Sequence, residues 1–288
     1  MAAGNRQENG AVQIRIGHSP DPDDAFLFYA LTQGKLSIPG ITITHRMEGI
    51  EQLNQLALKG ELEMTAISLH AYPYCADRYL LLTAGASVGD GYGPLIVSRD
   101  SISPADLKKL RVAVPGRLTT AALLLQLAVG RVEMEMMPFD EILPAVREGR
   151  VSAGVLIHEG QITYGQSGLK KVLDLGEWWK KETRLPVPLG VNVVRRDLGP
   201  DLVRRLAAGF KASLDYAFAH RAEALAYAQR YGRGLDAALT DRFVGMYVNR
   251  WSIECRPDGA AGMQRLLDWA AQEGLTPRRV SLDFAEAS

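Results

Sequence analysis

A histidine that follows an apolar segment is the residue of this sequence best suited to acid–base chemistry. His158 comes directly after the run "AGVLI" (153–157), and Glu159 is its neighbour. Because the pKa of a free histidine lies near neutral pH, an imidazole in a cleft can serve as a general base. A lone histidine is more often a surface or hydrogen-bonded core residue, so both interpretations stay open at this point.

Two further segments offer groups that could bind a ligand. "VPGRLTTA" (114–121) places Thr119 and Thr120 where a helix begins, and the free N–H groups there suit a carboxylate or phosphate. The alternative is that one of these threonines only caps the helix. "AISLHAY" (66–72) follows another apolar segment and offers Ser68 and His70.

The acidic segment "SPDPDDAF" (19–26) follows the first apolar strand. Its prolines end the strand, and we expect Asp23 or Asp24 to be the N-cap of the following helix. Sites in open α/β sheets lie beyond the carboxyl ends of strands, so the same corner can also line a cleft. Ser19 is the candidate for ligand contact from this corner.

Composition narrows the classes of partner. The 288 residues hold 33 basic and 33 acidic side chains, so the formal net charge is zero and does not favour binding to nucleic acid or to an anionic membrane. Cys75 and Cys255 are far apart and form no CxxC motif, and the five histidines form no HExxH motif. No apolar run could cross a bilayer, and the polar N-terminus lacks the core of a signal peptide. We therefore expect a cytoplasmic protein without a metal site.

Short apolar strands alternate with helices along most of the chain, whereas residues 200–273 are almost wholly helical. This pattern predicts an α/β protein with two lobes of mixed, mostly parallel sheets and a helical C-terminal segment packed on lobe one. Lobe one is predicted to hold residues 12–97 and 195–288, and lobe two residues 98–194. Residues 1–11 are predicted to be a flexible N-terminus. Hinges are expected near 97–100 and 191–196, with the ligand between the lobes, as in type II periplasmic binding proteins.

Three segments together resemble the 1,4-dihydroxy-6-naphthoate synthases of the futalosine route to menaquinone. They are "SPDPDDAFLFYAL" (19–31), "AVPGRLTTA" (113–121) and "LIHEGQITYGQSGLKKVLDLGEWWKKETRLPVPLG" (156–190). The resemblance runs from about residue 13 to beyond residue 250. It implies a lyase that converts cyclic dehypoxanthinyl futalosine, an anionic small molecule, into 1,4-dihydroxy-6-naphthoate without a cofactor.

The resemblance also implies roles for individual residues. His158 matches the catalytic proton acceptor of the family. The family's ligand-binding positions match Asn54, Ala66, Ile67, Ser68, Thr120 and Ala121, with Thr119 adjacent.

The chain departs from the family pattern at two places. The family usually reads "SPCPNDTF" where this chain has "SPDPDDAF", and it commonly carries a lysine where this chain has Ala66. Losing a cation and gaining carboxylates weakens attraction for an anionic substrate. A chorismate dehydratase-like enzyme and a non-catalytic binding protein for a small aromatic carboxylate therefore stay as alternatives. Either a monomer or a homodimer is compatible with the sequence.

Overall fold

The strands of this protein form two sheets in a computed structural model that describes residues 11–285. The first sheet holds β1 (Val12–His18), β2 (Ile41–Met47), β3 (Met64–Ser68), β4 (Tyr79–Leu82), β5 (Ser87–Gly89), β11 (Val187–Arg195) and β12 (Phe284–Ala285). The second holds β6 (Leu95–Ser98), β7 (Arg111–Val114), β8 (Glu133–Met136), β9 (Ala153–Leu156) and β10 (Lys170–Asp174).

Both sheets are mixed, as predicted, but parallel pairs do not predominate. The strand order is β12-β4-β11-β3-β1-β2 in the first sheet, with β5 beside β11, and β10-β6-β9-β7-β8 in the second. Among residues 11–285, parallel and antiparallel pairs are equally frequent. The antiparallel pairs arise because the two strands that follow the crossings, β6 and β11, run against their neighbours.

The chain passes between the sheets earlier than predicted. β6 pairs within the second sheet and β11 within the first, so the crossings occupy residues 90–94 and 184–186. The predicted lobe boundaries at 97/98 and 194/195 fall inside these two strands. We therefore propose that the lobes divide at the earlier crossings. Residues 1–10 of the predicted flexible segment lie outside the described residues.

The acidic corner differs from the prediction in its helix cap. Helix α1 (Pro22–Thr32) begins at a proline, and its N-cap is Asp21, whose side chain makes no capping hydrogen bond. Proline suits the first helical position because its φ is already helical and its missing N–H would have no partner there. The prediction of Asp23 or Asp24 as N-cap is therefore wrong. Both lie in the first turn of α1, and the carboxylate of Asp21 is available to other groups.

The C-terminal helices cover the first sheet, as predicted. They are α8 (Pro200–Ala219), α9 (Arg221–Ala228), α10 (Ala237–Tyr247), α11 (Arg250–Ile253) and α12 (Asp258–Gln272). Helix α1 is apolar on all sides because it is enclosed by the sheet, α8 and α9, and Phe28 packs 4.7 Å from Phe210.

The remaining helices are α2 (Ile50–Lys59), α3 (Tyr72–Cys75), α4 (Thr120–Val129), α5 (Phe139–Glu148), α6 (Gly160–Thr163) and α7 (Leu175–Thr183). The first five connect strands of one sheet, whereas α7 leads from β10 of the second sheet to the crossing before β11. No helix in residues 11–285 combines the length and the apolar character that a membrane span needs.

Candidate functional site

A cleft of about 710 Å³ lies between the two sheets. It is bounded by the segments that follow β1 and β9, by the end of β3, by the start of α4, by β11 and by α10. Eight of the nine residues singled out from the sequence line it: Ser19, Ala66, Ile67, Ser68, Thr119, Thr120, Ala121 and His158. The ninth, Asn54, is fully buried in α2 behind the wall of the cleft.

Asn54 fixes the position of Ser68. Its Nδ2 lies 3.3 Å from the Oγ of Ser68, and its Oδ1 accepts a hydrogen bond of 2.8 Å from the Ser68 N–H. The Oγ of Ser68 accepts the first bond, which leaves its own proton available to a ligand in the cleft. Asn54 thus orients a cleft residue and does not itself line the cleft.

The hydroxyls of Thr119 and Thr120 already have partners. Thr119 is the N-cap of α4: its Oγ1 accepts from the Ala122 N–H at 3.2 Å and donates to the Gly116 carbonyl at 2.8 Å. Thr120 Oγ1 donates to the Leu189 carbonyl on β11 at 2.6 Å and accepts from the His70 N–H at 3.3 Å. At this corner a ligand would meet chiefly the backbone N–H groups of the first turn of α4.

His158 lines the cleft and has an unusual backbone conformation. Its φ is 59°, a left-handed value that few residues other than glycine adopt. The ring packs edge-on against Phe139 with centroids 4.5 Å apart, and Nδ1 lies 3.4 Å from Oδ2 of Asp21. Its Nε2 is buried without a hydrogen-bond partner among residues 11–285. That nitrogen is placed to exchange a proton with a bound molecule.

The histidines at positions 18 and 70 do not line the cleft. Burial lowers the pKa of His18 to about 4, and its Nδ1 lies 2.9 Å from the Ser19 carbonyl. Burial also lowers the pKa of His70, whose two ring nitrogens face the carbonyls of Thr119 and Leu275 at 3.2 and 3.4 Å. Both histidines serve packing and hydrogen bonding.

The acids of the first turn of α1 also line the cleft. Burial raises the pKa of Asp24 to about 6, although its Oδ2 accepts a 2.7 Å hydrogen bond from the Ser19 N–H. Burial, aided by the charges of Asp24 and Asp21, raises the pKa of Asp23 well above its usual range. Oδ1 of Asp23 is buried and has no partner in the described part of the chain. A neutral Asp23 can donate a hydrogen bond to a ligand, as an asparagine would.

Sequence reasoning missed several lining residues. The Tyr247 hydroxyl is hydrogen-bonded to the side-chain amide of Gln161, so α10 contacts the segment after β9. Asn192 donates to the Gly85 carbonyl at 2.9 Å, while its Oδ1 is buried without a partner within residues 11–285. No local pattern marks these residues, because α10 and β11 reach the cleft only through the topology of the fold.

The cysteines are not candidates for chemistry. Cys75 and Cys255 are buried free thiols, and burial raises the pKa of each to about 12, so neither forms a thiolate readily. Across residues 11–285, no group of three or more His, Cys, Asp or Glu side chains is arranged to hold a metal ion.

The two-sheet architecture with a cleft between the sheets is that of periplasmic binding proteins. The alkanesulfonate-binding protein SsuA from Xanthomonas axonopodis pv. citri, solved bound to MOPS, matches over 98% of both chains with a TM-score of 0.69 and 17% identity. A crystal structure of an Archaeoglobus fulgidus protein matches with a TM-score of 0.87 and 48% identity, over 91% of this chain and 98% of that one.

Residues 14–272 match the model of a family described as menaquinone biosynthesis, and the chain belongs to that family. A 1,4-dihydroxy-6-naphthoate synthase from Thermus thermophilus is 43% identical, over 91% of this chain and 95% of that protein. A second, from Streptomyces coelicolor, is 39% identical over 92% of this chain and 95% of that protein.

Proposed function

We propose that this chain is a 1,4-dihydroxy-6-naphthoate synthase, a carbon–carbon lyase that acts on cyclic dehypoxanthinyl futalosine and releases its sugar-derived fragment. The observation that carries the proposal is that His158 lines the cleft and that its buried Nε2 has no partner among residues 11–285. An unpaired buried polar group costs free energy unless a bound molecule supplies its partner. An enzyme needs one where a proton must be accepted.

The proposed chemistry begins with proton removal. Nε2 of His158 takes a proton from a carbon of the bound substrate, and the resulting carbanion or enolate breaks down with loss of the fragment. The remaining ring becomes aromatic, which supplies much of the driving force. Enclosure between the lobes positions the substrate against the imidazole, so that one base and good positioning can suffice.

The proposed binding groups come from both lobes. The Ser68 hydroxyl, oriented by Asn54, and the first N–H groups of α4 at Thr120 and Ala121 can hold a carboxylate. Asp23 lies in the same cleft, and its raised pKa favours the neutral form, which reduces repulsion of an anionic substrate.

The test is direct turnover. Purified protein incubated with cyclic dehypoxanthinyl futalosine should form 1,4-dihydroxy-6-naphthoate, detected by absorbance and mass. His158→Gln should lose about 10²–10⁴-fold in kcat, the usual contribution of a general base. Loss of a water molecule from chorismate instead would identify a chorismate dehydratase-like enzyme. Binding of the naphthoate without turnover of either compound would identify a binding protein. A cytoplasmic location, the absence of a cofactor and the monomer or homodimer state stay predictions.

A further inference from the structure

Asp21 and Arg233 form a charged group beside His158 that the proposed chemistry does not yet use. Asp21 is 1% exposed at the corner after β1, and its Oδ1 accepts a 2.8 Å hydrogen bond from Nη1 of Arg233. The same guanidinium donates to the Pro20 carbonyl at 3.0 Å. Arg233 thus compensates the charge of a buried carboxylate and holds its orientation.

The second oxygen of Asp21 points to the imidazole. Oδ2 is buried, has no hydrogen-bond partner in the described residues and lies 3.4 Å from Nδ1 of His158. A carboxylate at Nδ1 favours the tautomer with the proton on that nitrogen, which leaves a lone pair on Nε2. The tautomer with Nε2 unprotonated is the one that can accept a proton from substrate. Catalytic contacts of this length shorten when substrate binds.

The same arginine also contacts the residues around His158 on the second lobe. Its Nη1 lies 3.3 Å from Oε2 of Glu159, and its guanidinium lies 4.5 Å from the centre of the Phe139 ring, against which the imidazole packs. Arg233 itself lies in the C-terminal segment that covers the first sheet, between α9 and α10. The contact between Asp21 and His158 therefore joins groups from two lobes, and Arg233 joins the same two lobes beside it.

We propose that Asp21 is the positioning residue for His158. In this proposal Arg233 holds Asp21 in place and, through its ion pair with Glu159, links the two lobes. The base then acquires its working tautomer only when the cleft is closed, so proton removal is coupled to substrate enclosure. This inference rests on the proposed function, in which His158 is the base.

Asp21→Asn is the sharpest variant because it keeps the size of the side chain and an oxygen for Arg233 but removes the charge. Its amide can also donate to Nδ1, which favours the wrong tautomer. We expect kcat to fall roughly 10–10³-fold, less than for loss of the general base itself, while the Kd for 1,4-dihydroxy-6-naphthoate changes less than about threefold. Glu159→Gln is the matched control. It weakens the ion pair between Arg233 and Glu159 but leaves Asp21 in place, so KM should rise with a smaller change in kcat.

The outcomes separate this inference from the proposed function. If His158→Gln is inactive but Asp21→Asn keeps more than half of the wild-type kcat, Asp21 is a structural partner of Arg233 and the inference fails. If His158→Gln itself stays active, the proposed base is wrong instead.

A measurement on the folded wild-type protein covers the case in which Asp21→Asn does not fold. Nitrogen NMR of labelled histidine with saturating naphthoate should show the His158 signal, assigned by its loss in His158→Gln, with Nε2 unprotonated. A proton on Nε2 would overturn the positioning role.

Discussion

The two ends of the cleft use similar residues for opposite purposes. The base end, defined by Asp21, Asp23 and His158, has buried polar atoms without partners within residues 11–285. The cap end, defined by His70, Thr119 and Thr120, has every hydroxyl and ring nitrogen close to a hydrogen-bond partner. Since an unpaired buried polar group costs about 1–3 kcal/mol, the base end is destabilised where the cap end is stable. The difference indicates that one end is built for reaction and the other for rigidity.

The two histidines make the comparison concrete, because both follow strands that end at the cleft. His158 is held by a left-handed backbone and a ring contact, and its Nε2 is left open. His70 has carbonyl oxygens near both ring nitrogens, and burial lowers its pKa. Position after a strand therefore does not identify a base; the hydrogen bonds around the ring do.

The largest expected effect separates these two histidines. His158→Gln should lower kcat by about 10²–10⁴-fold and leave the melting temperature nearly unchanged, because this side chain makes no hydrogen bond through Nε2 to residues 11–285. His70→Gln should do the reverse: it removes buried contacts, which costs about 1–3 kcal/mol of unfolding free energy, and lowers kcat much less. Steady-state kinetics and thermal melts on both variants measure the contrast. Equal losses of kcat in the two variants would mean that the base end and the cap end do not differ in their contribution to catalysis.

The next effect is a pH dependence of stability at the base end. The pKa of Asp24 is about 6 in the folded protein against an ordinary value of 3.8, so the folded state holds the extra proton between these values. Its contribution makes the free energy of unfolding fall as pH rises from about 4 to about 6 and stay level above that range. Asp23, whose pKa is raised as well, contributes a fall of the same sign.

Asp24→Asn removes this penalty and keeps an oxygen that can accept from the Ser19 N–H. At pH 8 we expect it to gain roughly 1–3 kcal/mol of unfolding free energy, since one pKa unit is worth about 1.4 kcal/mol. At pH 3.5, where the wild-type acid is protonated, the variant and the wild type should differ little. Chemical denaturation at both pH values checks this, and an equal shift at the two would show that ionisation is not the cause.

Only part of this contrast could be predicted from the sequence. His158, Ser68 and Thr120 could be predicted because each lies within a few residues of the end of an apolar strand, and such ends meet at one edge of a sheet. Arg233 and Tyr247 could not be predicted, since they come from the helical C-terminal segment and reach this region only through tertiary packing. The helix cap at Asp21 was missed because Pro22 was expected to lie before the helix, whereas it occupies the first helical position and so moves the cap to the preceding residue.

Thr120 tests whether the cap end contributes to binding through contacts between the lobes. Thr120→Val removes the bonds to the Leu189 carbonyl and from the His70 N–H and leaves both groups unpaired. We expect KM to rise roughly tenfold, since such a loss costs about 1–3 kcal/mol, while kcat changes less than about threefold. Thr120→Ser keeps the hydroxyl and should restore KM. An unchanged KM in Thr120→Val would mean that this contact between the lobes does not contribute to substrate binding.

The smallest expected effect is at Thr119, where the cap interpretation and the ligand interpretation give different results. Its Oγ1 accepts from the Ala122 N–H and donates to the Gly116 carbonyl, so Thr119→Ala deletes the N-cap of α4. Loss of such a cap costs about 1 kcal/mol, which corresponds to roughly 2–4 °C in melting temperature for a chain of this size. KM should stay within about twofold, because the N–H groups that face the cleft belong to the backbone. Thr119→Ser retains a good capping residue and should melt like the wild type. A tenfold rise in KM at an unchanged melting temperature would instead make Thr119 a ligand contact, and the cap end would then take part in recognition through its hydroxyls.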